Sequence, residues 1–167
     1  YKMPEVPSPA VVPSVESMPL PRFGPARVVG TFEQGTDGWA APSPGSCTLT
    51  RAQRDTGGGV CLHVLNPTAG GSFALAKPLE GIDLRKHSLL AFEYAIPDNV
   101  HIDLYAVVDG QRYRVLLSGP QEPAPGIEDI GVVADVRANG RWRQARVDLL
   151  GLLAPHFPPD APVIPQR

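Results

Sequence analysis

Residues 103–117 read "DLYAVVDGQRYRVLL", and this stretch decides the fold. Asp109-Gly110 favours a two-residue hairpin turn of the primed type, and runs rich in β-branched and aromatic residues stand on both sides of it. Such a turn places Val108 opposite Gln111. The pairing then continues as Val107–Arg112, Ala106–Tyr113, Tyr105–Arg114, Leu104–Val115 and Asp103–Leu116. A one-residue slip would exchange the two faces, so the sequence predicts a hairpin of defined register.

This register sorts the side chains into two faces, because paired residues share a face. The predicted core face carries Ile102, Leu104, Ala106, Tyr113, Val115 and Leu117. The predicted solvent face carries His101, Asp103, Tyr105, Val107, Arg112, Arg114 and Leu116. Glu93, from a neighbouring predicted strand, is expected on the polar face as well. The candidate residues for binding a protein partner or a glycan are therefore Tyr105, Arg112, Arg114, Asp103 and Glu93.

Two interpretations of this polar face stay open. Tyrosine and arginine are enriched at the residues that dominate protein interfaces. Tyr105 and Arg114 could equally form a stacking pair on a solvated sheet. Glu93 and Asp103 could form the carboxylate pair of a glycosidase, but nearby arginines would keep both ionised, whereas a general acid needs a raised pKa.

The rest of the middle segment repeats a short β-rich run followed by Gly, Pro, Asn or Asp. The predicted strands are 27–33, 46–52, 59–65, 72–79, 88–96, 100–108, 111–119, 131–137 and 141–150. Asn139-Gly140 predicts a second hairpin, and residues 149–157 could form one helical turn. No 12-residue window shows helical periodicity. This pattern predicts an all-β, antiparallel β-sandwich.

Proline divides the chain of 167 residues, which holds 20 of them. We predict a Pro-rich extended arm at 1–26, a β-sandwich domain at 27–153 and a Pro-rich C-terminal tail at 154–167. Apolar residues along the arm could anchor it on a partner protein, namely Val11, Val12, Met18, Leu20 and Phe23. The alternative is an arm that lies on its own domain.

Composition excludes some function classes. The net charge of −2 argues against nucleic-acid binding, and no stretch reaches the roughly 18–20 apolar residues that would span a membrane. Because the chain begins at Tyr1, we interpret it as a processed chain or a fragment. Cys47 and Cys61 would form a disulfide in an exported protein or be buried thiols in a cytosolic one. No GxSxG, HExxH, GxxxxGK[ST] or GxGxxG motif is present, so we predict that the protein is not an enzyme.

Three segments resemble a known class of domain. "TFEQGTDGW" (31–39), "GIDLRKHSLLAFEYAI" (81–96) and "GRWRQARVDLLGL" (140–152) are similar to segments of galactose-binding-like jelly-roll domains. Carbohydrate-binding modules and the complex I intermediate-associated protein family share this layout. "GGSF" (70–73) and "DGQRYRVLL" (109–117) resemble the second of these groups.

The resemblance implies a jelly-roll fold and two candidate functions. One is a non-catalytic accessory subunit of a membrane-associated respiratory or photosynthetic assembly in an exported bacterial setting, periplasmic or at the cell surface. Such a subunit would dock by its polar sheet face and by its extended tails. The alternative is a carbohydrate-binding module of a secreted enzyme that acts on glycans. Many relatives hold a structural calcium ion, for which Glu33 and Asp148 are the matching carboxylates here. The alternative is that both are residues at strand ends whose carboxylates accept hydrogen bonds from backbone amides or water. No other cofactor is expected.

Overall fold

The computed structural model describes residues 11–12, 27, 30–120 and 122–165. In this part of the chain the protein is all-β, as predicted, with one short helix. The strands are β1 (Val11–Val12), β2 (Thr48–Gln53), β3 (Val60–Leu65), β4 (Leu89–Tyr94), β5 (Asp103–Val108), β6 (Gln111–Leu116), β7 (Ile127–Val133) and β8 (Arg143–Asp148). Helix α1 (Leu149–Leu153) follows β8 directly and continues into a 3-10 turn, Ala154–His156.

The described residues fall into two compact units. The larger unit consists of residues 81–165 together with β1, and the smaller unit consists of residues 27 and 30–80. The boundary predicted between residues 153 and 154 lies where α1 passes into the 3-10 turn, within the larger unit.

The main sheet of the larger unit has the strand order β1-β7-β6-β5. Its β5–β6 hairpin has the predicted register, from Val108 opposite Gln111 to Asp103 opposite Leu116. The turn residues Asp109 and Gly110 have φ angles of 51° and 77°, as a primed turn requires. Local turn chemistry therefore specifies this hairpin.

Two pairings of this sheet are parallel, which corrects the expectation of an entirely antiparallel arrangement. β7 runs parallel to β6 on one side and to β1 on the other. The connection between β6 and β7 spans residues 117–126 and contains three prolines. Ten extended residues reach about 33 Å, whereas a six-residue strand is about 20 Å long. The connection can therefore run back along β6 and start β7 in the same direction.

A second sheet pairs β4 with β8 in antiparallel register, from Leu89 opposite Asp148 to Tyr94 opposite Arg143. The predicted hairpin at Asn139-Gly140 is therefore wrong, because β7 and β8 belong to different sheets. The backbone N–H of Gly140 instead donates to the carbonyl of residue 96 at 2.7 Å. The turn thus carries the chain from one sheet to the other.

The core of the larger unit takes side chains from both of its sheets. Tyr94, Ile96 and Ala145 form a buried cluster, against which five partly buried residues pack, namely Phe92, Val100, Ile102, Val136 and Ala138. Val115 and Val147 are also almost fully buried. The predicted core residues Tyr113 and Leu117 are buried too, at 6% and 7% exposure.

The Pro-rich C-terminal segment packs on the larger unit as far as Pro165. Val163 is fully buried, and its carbonyl accepts a hydrogen bond from the N–H of Leu84 at 2.9 Å. The guanidinium of Arg85 donates to the carbonyl of Ala161 and, at 2.7 Å, to that of Pro158. Pro165 forms an isolated bridge with Val108. This segment therefore lies along its own unit.

The N-terminal arm is described at two residues. Val11 and Val12 pair with Val132 and Val133, so at this point the arm adds a strand to its own sheet. The other proposed anchors, Met18, Leu20 and Phe23, lie outside the described residues.

The smaller unit contains the antiparallel hairpin β2–β3, which confirms the strands predicted at 46–52 and 59–65. The strands predicted at 27–33 and 72–79 do not form in the residues described there. At Phe32 a positive φ of 61° breaks the extended backbone. Segment 72–79 contributes an isolated bridge between Ala76 and Ala40. Among the described hydrophobic residues of this unit, Cys47 is the one that is buried.

Candidate functional site

The candidate site lies on the face of the main sheet that carries Tyr105. Tyr105 on β5 is opposite Arg114 on β6, as predicted, and its side chain is 50% exposed. Arg114 is 5% exposed. The prediction that Arg114 faces solvent is therefore wrong, and β6 is covered on both faces along its second half.

Arg114 is buried because two neighbouring segments bind its guanidinium. Its Nε donates to Asp129 Oδ1 at 2.6 Å, and its Nη2 donates to Asp129 Oδ2 at 2.8 Å. Nη2 also donates to the carbonyl of Glu122 at 2.6 Å. Glu122 belongs to the connection between β6 and β7, so this connection covers the face that alternation alone left open.

The electrostatics hold Arg114 in its charged form. Hydrogen bonding to Asp129 raises the pKa of Arg114 above its usual value, burial opposes this effect, and the Tyr105 hydroxyl raises the pKa further. A bidentate arginine–carboxylate pair also fixes the orientation of both groups. The result is an immobile cation next to the exposed tyrosine.

Arg112 is the second exposed group on this face. It lies opposite Val107 and is therefore a diagonal neighbour of Tyr105 across the hairpin, at a Cβ separation of about 7 Å. The side chain of Arg112 is exposed to solvent. We call Tyr105 and Arg112, with Arg114 beside them, the Tyr105 surface.

Asp103 has a structural role at the end of the hairpin. Its Oδ1 accepts hydrogen bonds from the backbone N–H of Leu117 at 3.0 Å and of Gly119 at 3.2 Å. Glu93 is exposed on β4, opposite Gln144, and therefore belongs to the other sheet. The expectation that Glu93 and Asp103 share one polar face is wrong, because their strands belong to different sheets.

The two proposed calcium ligands lie in different units. Asp148, in the larger unit, is the N-cap of α1, and its Oδ1 accepts the N–H of Gly151 at 2.9 Å. A backbone amide thus satisfies the Asp148 carboxylate, as expected in the alternative to calcium binding. Glu33, in the smaller unit, is exposed, and its carbonyl accepts from Arg51. Across the described residues, no three His, Cys, Asp or Glu side chains form a group that could hold a metal ion.

Both cysteines are free thiols, so the disulfide alternative is not realised. The β2–β3 register places Cys61 opposite Ala52, five residues after Cys47. Five strand residues correspond to about 16 Å, whereas bridged cysteines have Cα atoms within about 7 Å. Cys47 is buried with its thiol near the carbonyl of Ala74, and Cys61 is half-buried.

Sequence reasoning missed Asp129, although a signal for it exists. It lies in "IEDIGVV" (127–133), a strand in which two acidic residues interrupt an apolar run. A carboxylate within a covered strand needs a positive or hydrogen-bonding partner. Arg114 lies opposite Asp129 in the parallel register of β6 and β7 and meets that need.

A second missed residue, Asp37, organises the loop in "TFEQGTDGW" (31–39). Its Oδ2 accepts the backbone N–H groups of Phe32 and Thr31, both at 2.6 Å. Both hydrogen bonds lower the pKa of Asp37 below its usual value, and the bond from Phe32 has the larger effect. Lys77 donates to the carbonyl of Asp37, and Arg51 donates to that of Phe32 at 2.7 Å. This loop is therefore stabilised by its own Asp37 and by two basic side chains from other segments of the smaller unit.

Comparison with known proteins gives no family assignment. No protein-family model, no curated protein and no solved structure matches the chain. In the part of the chain that the structure describes, no helix is long and apolar enough to cross a membrane. The resemblance to galactose-binding-like domains stays a prediction.

Proposed function

We propose that this protein is a non-catalytic accessory subunit of a larger protein assembly and that it docks through the Tyr105 surface. The observation that carries the proposal is the half-exposed ring of Tyr105 beside a buried, immobile Arg114. A tyrosine held in place before binding loses little conformational freedom when a partner covers it. Tyrosine and arginine are also the residue types that contribute most at protein interfaces.

The same surface is less suited to a glycan. Among the described residues, the large hydrophobic side chains that are well exposed are Leu65, Tyr105 and Ile164, of which Tyr105 is aromatic. One aromatic ring with a guanidinium beside it offers a small stacking area for a sugar. A carbohydrate-binding module is therefore the second candidate, and the experiment below tests it.

The finer fold and the cellular setting are also proposals. A jelly-roll sandwich, an exported location and a membrane-associated respiratory or photosynthetic assembly are implied by the resemblance of segments 31–39, 81–96 and 140–152. The structure changes one element of the docking proposal. Because the C-terminal segment packs on its own unit as far as Pro165, we assign docking to the sheet face rather than to this tail.

Site-specific photo-cross-linking in the native source tests the proposal. A benzoylphenylalanine replaces half-buried Val107, which lies opposite Arg112 on the face that carries Tyr105, and in a control protein it replaces exposed Arg141. We expect a discrete protein adduct from position 107 that disappears when Tyr105→Ala is added. The control position should give no such adduct.

Two results would contradict the proposal. One is an adduct from position 107 that persists at full yield with Tyr105→Ala, and the other is the absence of any protein adduct from position 107. Retention of the intact chain on a polysaccharide panel, lost with Tyr105→Ala, would establish the carbohydrate-binding alternative instead.

A further inference from the structure

We propose that the Tyr105 surface recognises a carboxylate in an acidic segment of the protein partner. This inference depends on the proposed function, since it specifies the chemistry of the partner at the same surface. On this surface some hydrogen-bonding groups are already engaged within the protein, and the groups that remain free indicate the chemistry of the ligand.

The Tyr105 hydroxyl has one proton and two lone pairs. Arg114 is directly opposite Tyr105 in the hairpin register, and its guanidinium carries donors only. The Tyr105 oxygen therefore faces a cation, and its interaction with that cation contributes to the raised pKa of Arg114. A cation beside the oxygen turns the hydroxyl proton away from it. The exposed hydroxyl is thus oriented as a donor toward a partner.

Arg112 is the second exposed donor on this surface. Within the described residues, no hydrogen bond or ion pair engages its guanidinium, whereas that of Arg114 is held by Asp129 and the carbonyl of Glu122. Arg112 therefore offers a planar set of donors and a positive charge to a ligand. Its diagonal position across the hairpin places it on the same side of the sheet as Tyr105.

The two carboxylates on the strands of this face, those of Asp129 and Asp103, are already engaged. Asp129 is paired with Arg114, and Asp103 Oδ1 receives two backbone N–H groups. The free groups are thus a cationic donor and a neutral donor, and a carboxylate is complementary to both. An Asp or Glu side chain of a partner protein can bind both donors while the rest of the partner's surface buries the Tyr105 ring. A free small acid could bind the donors but could not cover the ring.

Selection of peptides from a random 12-residue phage library tests this inference with the full chain as bait. Clones are kept if they bind the wild-type protein and do not bind the Tyr105→Ala variant. We expect an Asp or Glu to recur at one position of the selected peptides. Changing that residue to Asn or Gln in the synthetic peptide should weaken binding about tenfold, as expected for a hydrogen bond to a charged group.

Protein variants separate the two donors. Tyr105→Phe keeps the ring and removes the hydroxyl, and Arg112→Gln removes the charge, so each should weaken binding of the acidic peptide about tenfold. Arg112→Lys should restore part of the loss, because it restores the charge. Arg141→Gln serves as the matched control for an exposed arginine and should leave the affinity unchanged.

The outcomes distinguish this inference from the proposed function. Selected peptides that require Tyr105 but show no recurring acid would overturn carboxylate recognition and leave protein docking in place. The same holds for acidic peptides whose affinity is unchanged by Tyr105→Phe and Arg112→Gln. Failure to select any Tyr105-dependent peptide would count against the proposed function itself.

Discussion

Arg114 and Asp129 lie opposite each other on the parallel strands β6 and β7, and their side chains form a bidentate ion pair. Arg114 is nearly inaccessible, whereas the side chain of Asp129 is 25% exposed. The pair joins the predicted hairpin to β7, whose overlap with the strand predicted at 131–137 is partial and whose parallel pairing with β6 the sequence did not predict. It also holds the cation beside Tyr105.

Removing one member of this pair should destabilise the protein more than replacing both. Asp129→Ala leaves a buried guanidinium without its carboxylate, and we expect a loss of about 3 kcal/mol in the free energy of unfolding. The double variant Arg114→Met, Asp129→Leu should recover most of this loss, because no buried charge remains. Urea unfolding measures both values. Arg112→Gln is the exposed control, and a loss under about 0.5 kcal/mol for Asp129→Ala would refute the role of the pair.

Gly119 should not tolerate a side chain, because the carboxylate of Asp103 occupies the space. A Cβ built on Gly119 would lie 2.8 Å from Asp103 Cγ. Gly119→Ala would displace this carboxylate from two backbone N–H groups, and we expect a loss of about 2 kcal/mol in the free energy of unfolding. Gly35→Ala is the control, since a Cβ there meets nothing within 4 Å. Equal thermal unfolding of both variants would show that Asp103 does not cap the hairpin.

The Asp37 carboxyl should remain ionised under mildly acidic conditions. Hydrogen bonds from the backbone N–H groups of Phe32 and Thr31 lower its pKa below the usual value of 3.8. Because the pKa of Asp37 is lower in the folded protein than in the unfolded chain, these hydrogen bonds contribute fully to stability above pH 3.8. Their contribution is lost as the pH falls through the pKa that Asp37 has in the folded protein. NMR titration of the two amide protons should give a common midpoint below 3.8.

The control for this titration is Asp37→Asn, which should abolish the pH-dependent shift of both amides. A midpoint at or above 3.8 in the wild-type protein would contradict the hydrogen bonding of the loop.

The neighbours Val163 and Ile164 should differ sharply in their contribution to stability. Val163 is fully buried, so Val163→Ala leaves a cavity, and we expect it to cost about 2 kcal/mol in urea unfolding. Ile164 is 41% exposed, and Ile164→Ala should cost under about 0.5 kcal/mol. Similar values for the two variants would mean that the C-terminal segment does not pack on the larger unit.

The parts of the fold that local chemistry determines could be predicted from the sequence. The Asp109-Gly110 turn fixes the strand register by itself, so the pairing of Tyr105 with Arg114 followed from the sequence and is confirmed. The helical turn after β8 was also predicted from its sequence, and Asp148 now explains where it begins.

The parts that depend on distant segments could not be predicted. Alternation along β6 places Arg114 on the solvent side, but the connection through Glu122 covers that side and brings Asp129 into position. The order of the strands within each sheet likewise depends on where a connection leads, so the turn at Asn139-Gly140 looked like a hairpin although it joins two sheets.

The most direct test of the central claim is the amount of partner protein that co-purifies from the native source with three tagged forms of the full chain. These are the wild type, Tyr105→Ala and the exposed-site control Arg141→Ala. We predict that Tyr105→Ala reduces the recovered partner at least about tenfold, as expected for loss of a central aromatic contact, while Arg141→Ala matches the wild type. Equal recovery with Tyr105→Ala, in a protein that unfolds at the wild-type urea concentration, would contradict docking through the Tyr105 surface.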